Sequence, residues 1–283
     1  MIDQLLSEWI GSSYKKKPVY GGDINESFLV SNGGQDFFVK YHKGSIAADM
    51  FNTEKKGLEL LANAVPGNVP QVHTVISDEK HSVLIMEFIK SGRKEDECMS
   101  ELGKVLASVH RVTSKHYGLD HNNFIGRLFQ NNHTHSTAAE FLAMARLTPQ
   151  LRMGVDRGYL NNHDVPSSSF IEQRLKDVIP EEGPSLIHGD LWSGNYMCAQ
   201  NGKPYLIDPS VSYCHREMDI AMTRLFGGFD STFYNTYQTF YPLDKGWQNR
   251  IDLFQLYYLL VHLNLFGRSY LPSVERIVRK WFN

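Results

Sequence analysis

Residues 185–210 read SLIHGDLWSGNYMCAQNGKPYLIDPS, and no other stretch restricts the possible folds as much. An apolar, β-prone run leads into a polar loop, and two further short runs are joined through Asn201-Gly202, a pair that favours a tight hairpin turn. Strands this short hold only when packed into a larger body. Their ends carry Asp190, Asn195 and Asp208 into loops, where functional side chains are usually presented on a rigid scaffold.

The flanking sequence describes that body. Residues 27–41 hold two β-prone runs around Gly33-Gly34, which predicts a hairpin. Residues 50–64 set Leu58, Leu61 and Ala62 among charges at helical spacing, and residues 81–89 (HSVLIMEFI) form the continuous apolar run of a buried strand. After the polar stretch KSGRKEDE, residues 90–97, the pattern turns helical. Leu102, Val105, Leu106 and Val109 share one helical face. Residues 138–160 and 170–179 are further helix candidates. In the aromatic tail, Trp247, Ile251, Phe254, Tyr258, Val261 and Leu265 recur at helical spacing, and core packing explains them. The expected architecture is α+β in two lobes. Residues 1–89 form a small β-rich lobe, residues 90–283 a mainly helical lobe, and 90–97 is the hinge between them.

Composition narrows the function. With 29 basic against 31 acidic residues the chain has no broad cationic footprint, so a nucleic-acid partner is not expected. The run Lys15–Lys17 reads as a solvated loop. Cys98, Cys198 and Cys214 are odd in number and lack metal-ligand spacing, which argues against a disulfide framework or a zinc site and for a reducing cytoplasm. The first residues, MIDQLLSEWIGSS, do not follow the pattern of a secretory signal. Residues 253–266 are too few and too polar for a membrane span, so a soluble protein is expected.

Asp190 and Asn195 stand in the pattern DxxxxN, with Asp208 following in IDP. The protein-kinase signature uses the same Asp–Asn interval and a later metal-binding aspartate. The residue types suit phosphoryl transfer from ATP. Mg²⁺ prefers hard oxygen ligands, which Asn195 and Asp208 offer, and a carboxylate left unligated, Asp190, can take the proton of an attacking hydroxyl. Taken singly, Gly-Asp and Asp-Pro are ordinary turn pairs; it is the joint pattern that points to catalysis. Lys40, at the end of a predicted strand, can reach phosphates, and Glu54 on the next helix can pair with it. GGDINESF, residues 21–28, can cradle phosphates through its backbone, with Ser27 adding a hydroxyl. Adenine is expected against the backbone of Glu87 to Ile89.

These residues resemble the fructosamine-3-kinase (ketosamine-3-kinase) family, a branch of the aminoglycoside-phosphotransferase and protein-kinase-like group. HGDLWSGN (188–195) carries the resemblance most strongly, followed by LIDPSVSYCHREMDIAMTRLFGGF (206–229), YGLDHNNFIG (117–126) and LFQLYYLLVHLNLFG (253–267). The resemblance implies a two-lobed protein-kinase-like fold and Mg²⁺- and ATP-dependent phosphorylation of the 3-hydroxyl of ketosamines. It implies Asp190 as the base, Asn195 and Asp208 as metal ligands, and Lys40 and Glu54 as the nucleotide-positioning pair. Adenine would lie at Met86, Glu87 and Phe88. Asp219 and His188 would brace the loop, and Trp192, Asn123, Phe124, His215 and Phe229 are candidates for the sugar pocket. The partner is then a small-molecule ketosamine, free or protein-bound, acted on by a monomer or weak homodimer. The competing readings are a kinase of another hydroxyl compound, such as an aminoglycoside or choline, and a nucleotide-binding scaffold without catalysis.

Overall fold

The computed structural model describes residues 2–19 and 25–282. Residues 21–24 of the expected phosphate cradle lie outside the described residues, whereas Ser27 lies within them.

The N-terminal part is helix α1 (Ile2–Ile10), strands β1 (Lys15–Val19), β2 (Glu26–Asn32) and β3 (Gln35–Lys43), helix α2 (Ala47–Ala64), and strands β4 (Val72–Ser77) and β5 (His81–Glu87). The strands make one antiparallel five-stranded sheet in the order β1-β2-β3-β5-β4. Gly33 and Gly34 turn β2 into β3 with φ of +58° and +85°, the left-handed pair that a two-residue hairpin needs. Side chains alternate along β3. Phe37 and Val39 join Leu5 and Leu6 of α1 in one small core, while Phe38 and Lys40 point to the opposite face. The lysine run, expected as a solvated loop, is instead the edge strand β1. Its backbone pairs with β2 while its side chains stay mostly in solvent, and Pro18 is tolerated there because an edge strand has a side without a partner.

The remainder is helical with short ladders inserted. It contains α3 (Asp96–His110), β6 (Asn123–Ile125), β7 (Leu128–Gln130), and α4 (Ala138–Phe141), which runs through a π-helical turn, Leu142–Leu147, into α5 (Thr148–Asp156). Then follow α6 (Ser168–Val178), β8 (Ser185–Ile187), β9 (Tyr196–Cys198), β10 (Pro204–Leu206), β11 (Ser212–Cys214), α7 (Glu217–Thr223), α8 (Ser231–Phe240), α9 (Trp247–Phe266) and α10 (Leu271–Phe282). The hairpin expected at Asn201-Gly202 is β9–β10, with Gly202 at φ +77°. β8 pairs with β11, so two short ladders hold the loops that carry Asp190 and Asp208. No described helix is long and apolar enough to cross a membrane.

Two contacts seat the sheet part on the helical part. Phe51, Leu58, Leu84 and Met86 share a core with Leu102, Leu106, Leu186, Leu206 and Val211. Within α2, Gly57 faces Pro209 and Val211 so closely that a Cβ there would lie 3.3 Å from Val211 Cγ2. A helix-interior glycine costs about 1 kcal/mol relative to alanine, and here it lets α2 lie directly on the chain that follows Asp208.

The cysteines overturn an expectation. Cys98, in the first turn of α3, is disulfide-bonded to Cys198 at the end of β9, with Cα atoms 6.1 Å apart, and Cys214 is free and buried. Spacing could not reveal a pair separated by 100 residues and brought together only by the fold. In the unreduced chain unfolded in denaturant, thiol titration should therefore find one reactive cysteine, rising to three after reduction. Reduction should also lower the unfolding free energy by about 2–4 kcal/mol. Three thiols before reduction would exclude the bond.

Candidate active site

β8 ends at His188-Gly189-Asp190, and this turn is held from behind. Asp219 on α7 accepts hydrogen bonds from the backbone N–H groups of His188 (2.7 Å) and Gly189 (2.9 Å). Gly189 has φ +83°, and a Cβ there would stand 2.0 Å from the Ser210 carbonyl oxygen, so only glycine fits. The His188 ring links the two loops. Its Nε2 donates to the Ile207 carbonyl at 2.9 Å, and its Nδ1 accepts from the Asp190 N–H at 3.3 Å. Burial lowers the pKa of His188, with Asp219 opposing, which favours the neutral ring that this pair of bonds requires.

Asn195 closes the other side of the loop. Its Nδ2 donates to the Asp190 carbonyl oxygen at 2.7 Å, to Asp190 Oδ2 at 3.2 Å and to the Asp208 carbonyl oxygen at 3.4 Å. With the nitrogen so occupied, Oδ1 is the atom left for a cation. Burial raises the Asp190 carboxyl well above the usual range, and the Asp208 charge adds to this while Asn195 opposes. Asp208 sits at φ +54°, a left-handed conformation otherwise confined among the described residues to glycine, which turns its carboxylate out of the strand line into the cleft. The donor set, one carboxylate and one amide oxygen on facing loops, fits a hard divalent cation such as Mg²⁺.

Lys40 joins the sheet to these loops. Its Nζ lies 2.6 Å from Glu54 Oε1 on α2 and 2.5 Å from Asp208 Oδ1. Burial alone would lower the pKa of this lysine, but Asp208 and Glu54 outweigh it and hold the ammonium above its ordinary value. Burial lifts Glu54 above the usual carboxylate range, with Lys40 pulling it down.

These groups line a cavity of about 1000 Å³ between sheet and helices. At one end it is walled by Phe38, Pro70, Met86, Glu87, Phe88, Ile89, Met197 and Ile207, a mainly apolar slot. Ser27, Lys40, Glu54, Asp190, Asn195 and Asp208 lie in the middle. At the other end are Asn123, Phe124 and Trp192. The amide of Asn123 is spent internally: it donates to the Val211 carbonyl oxygen and accepts from Gln130 and Asn132. Trp192 lies edge-on to Phe226 and flat over Gly194, where a Cβ would meet the indole at 2.5 Å.

Two of the residues expected at the sugar pocket are elsewhere. His215 is fully buried and stacked on Phe254, and Phe229 packs on Tyr196 and Phe233. In their place the fold brings Phe226, His262, Phe266 and Tyr270 to the cleft. His262 is the hub of this group, with ring centroids 4.8 Å from Phe226 and 5.1 Å from Tyr270. Its Nδ1 donates to the Tyr258 carbonyl at 2.8 Å, and burial lowers its pKa, which leaves Nε2 as an acceptor. The only sequence signal for Phe226, His262 and Phe266 was their place inside the two long stretches, 206–229 and 253–267, quoted above for their resemblance; Tyr270 lies just beyond the second.

Comparison with known proteins shows what the chain as a whole is similar to. The family model described as fructosamine kinase matches residues 1–283. An Enterococcus faecium protein bearing the name ketoamine kinase is 36% identical over 93% of this chain and 94% of its own. An Arabidopsis thaliana protein named chloroplastic protein-ribulosamine 3-kinase is 34% identical over 98% of this chain and 87% of its own. The solved structure of a Haemophilus somnus protein bearing the name fructosamine-3-kinase superposes with a TM-score of 0.87 at 28% identity, covering 100% of this chain and 97% of that one.

The buried His215 has a consequence for stability. Burial pulls its pKa down to about 4, with Glu182 opposing and Arg216 and Arg250 reinforcing. The unfolded chain binds a proton near pH 6.5 that the folded chain refuses until about pH 4, so this stability is complete above pH 6.5 and is lost as pH falls through that window. At about 1.4 kcal/mol per pH unit, denaturant unfolding should show a loss of roughly 2–3 kcal/mol between pH 6.5 and 4.5. The increment should be absent in His215→Gln. An equal acid slope in that variant would assign the loss to other groups.

Proposed function

The chain belongs to the fructosamine kinase family, and from that premise we propose that it transfers the terminal phosphoryl group of ATP to the 3-hydroxyl of a ketosamine, the adduct of a sugar and an amine. The observation that carries this reading is the meeting of Asp190, Asn195, Asp208 and Lys40 midway along a cleft with an apolar slot at one end and an aromatic wall at the other. Adenine occupies the slot, against the backbone of Met86 to Phe88. Lys40, held by Glu54, directs its ammonium at the phosphates, with Ser27 beside it. Asn195 and Asp208 would hold Mg²⁺, which offsets the negative charge of the phosphates when bound.

Asp190 accepts the hydrogen bond of the attacking hydroxyl, aligns it with the terminal phosphorus and takes its proton as the new P–O bond forms and ADP leaves. Asn195 fixes the carboxylate of Asp190, and Asp219 and His188 brace the loop. The sugar lies against Trp192, Phe124 and the group around His262, whose Nε2 accepts from a substrate hydroxyl or ammonium. The described residues of that wall, Phe124, Trp192, Phe226, His262, Phe266 and Tyr270, include no carboxylate, which disfavours a polycationic aminoglycoside as acceptor. The amine portion of the ketosamine extends outward over Phe226 and Phe266, both largely exposed.

ADP release should depend jointly on Mg·ATP and on fructosyl-, ribulosyl- or erythrulosyl-lysine. Asp190→Asn should lower kcat by about 10²–10⁴-fold with Mg·ATP affinity retained; near-normal turnover in that variant would remove Asp190 from the role of base. Trp192→Ala should raise KM for the ketosamine about three- to tenfold, the worth of a lost aromatic contact, while KM for ATP stays put. Equal changes in both constants would place Trp192 outside the sugar pocket.

A further inference from the structure

Behind the catalytic turn, away from the cleft, a chain of buried polar groups runs from a pure donor, Arg216, to a pure acceptor, the Asp219 carboxylate. It begins at Arg216, just before α7. Its Nε and Nη2 donate to the two carboxylate oxygens of Glu182 at 2.8 and 2.6 Å, and Nη2 also donates to the Pro242 carbonyl at 2.7 Å. Its Nη1 donates to the Tyr241 carbonyl at 2.8 Å and to the Tyr237 hydroxyl at 3.3 Å. Every guanidinium hydrogen is used, and the group cannot accept.

The Tyr237 oxygen accepts from Arg216, and toward a neutral His110 ring its own proton goes to Nδ1, 2.8 Å away. With Nδ1 accepting, the ring proton sits on Nε2, which donates to Asp219 Oδ2 at 3.1 Å. Asp219 is the carboxylate that grips the His188 and Gly189 amides. Tyr237, His110 and Asp219 are at most 1% exposed, so water cannot replace a lost link.

We propose that Tyr237, on α8, is a positioning residue for the catalytic loop: its hydroxyl holds the His110 ring at Nδ1, His110 fixes the Asp219 carboxylate, and Asp219 fixes the backbone that presents Asp190. Without that hydroxyl, Nδ1 of His110 becomes a buried acceptor with no donor, and the ring loses the contact that selects its orientation. Gly189, in a left-handed conformation secured by its bond to Asp219, is the point where such slack reaches Asp190. Arg216 sets the position of Tyr237 by clamping the carbonyls that follow α8 and stacking its guanidinium 3.9 Å from the Tyr241 ring centre.

The inference rests on the reading of Asp190 as base, and two readouts keep the claims separable. Tyr237→Phe keeps the ring and removes one oxygen. It should lower kcat about three- to tenfold with both KM values nearly unchanged. It should also move the backbone amide resonances of His188 and Gly189 in the enzyme without nucleotide. His110→Gln, which can still accept from Tyr237 and donate to Asp219, should restore most of kcat and the two resonances relative to His110→Leu. A lower melting temperature in Tyr237→Phe with kcat and both amide resonances unchanged would overturn the proposal and leave Tyr237 a packing residue. If the wild-type chain turns over no ketosamine, the functional reading fails, and the amide resonances alone decide the positioning role.

Discussion

An ammonium group buried between two carboxylates has to be held from both sides, and Lys40 is held by parts of the chain far apart in sequence. Glu54 reaches it from α2 and Asp208 from the loop after β10. Glu54 is the buried partner, and breaking a buried pair costs about 3–5 kcal/mol, whereas Asp208 is partly open to solvent. The sheet, α2 and the Asp208 loop must therefore keep their mutual distance. The close seat of Gly57 on Pro209 and Val211 and the shared apolar core are the packing that does so. The same triad lines the cleft, so the contact that joins the two parts of the fold lies where the proposed reading puts the phosphates.

The two sides of the catalytic loop are built differently. Behind it, the Asp219 carboxylate takes three donors in a fully buried setting, and the partners of each are fixed by directionality. In front, Trp192, Phe226 and Phe266 are 38%, 41% and 49% exposed; Trp192 meets Phe226 edge-on, and His262 lies between Phe226 and Phe266. Hydrogen bonds in a dry interior specify position closely, whereas aromatic surfaces accept many shapes at similar energy. A rigid loop carrying Asp190 thus faces a wall of exposed aromatic rings.

What the sequence disclosed was local. Gly33-Gly34 and Asn201-Gly202 announced their turns because left-handed backbone needs such residues, and DxxxxN announced the site because coordination chemistry restricts residue type. β1 was hidden because an edge strand keeps polar side chains, here three lysines beside a proline. The Cys98–Cys198 bond was hidden because only the tertiary fold brings the two together. His215 lies close in sequence to Asp208 yet faces inward, since sequence proximity carries no direction. The wall around His262 was missed for a different reason. α9 is apolar nearly all round, so periodicity could not tell which face packs and which, through Val261, His262, Leu265 and Phe266, borders the cleft.

The segment expected to act as a hinge is itself anchored. Gly92 donates its N–H to the Cys198 carbonyl at 2.7 Å, Gln200 donates to the Lys90 carbonyl at 3.0 Å, and Cys98 is bonded covalently to Cys198. Lys90, Gly92 and the start of α3 thus belong to the same unit as the hairpin that carries Asn195 out of the catalytic loop. Phe88 and Ile89, where the chain leaves β5, lie before this anchored stretch and outside the ladder. Those two residues also wall the apolar slot. On the proposed reading the adenine base would therefore rest against connecting backbone that no ladder holds, while the sheet and the Asp208 loop are kept at a fixed distance by Lys40 and the shared core.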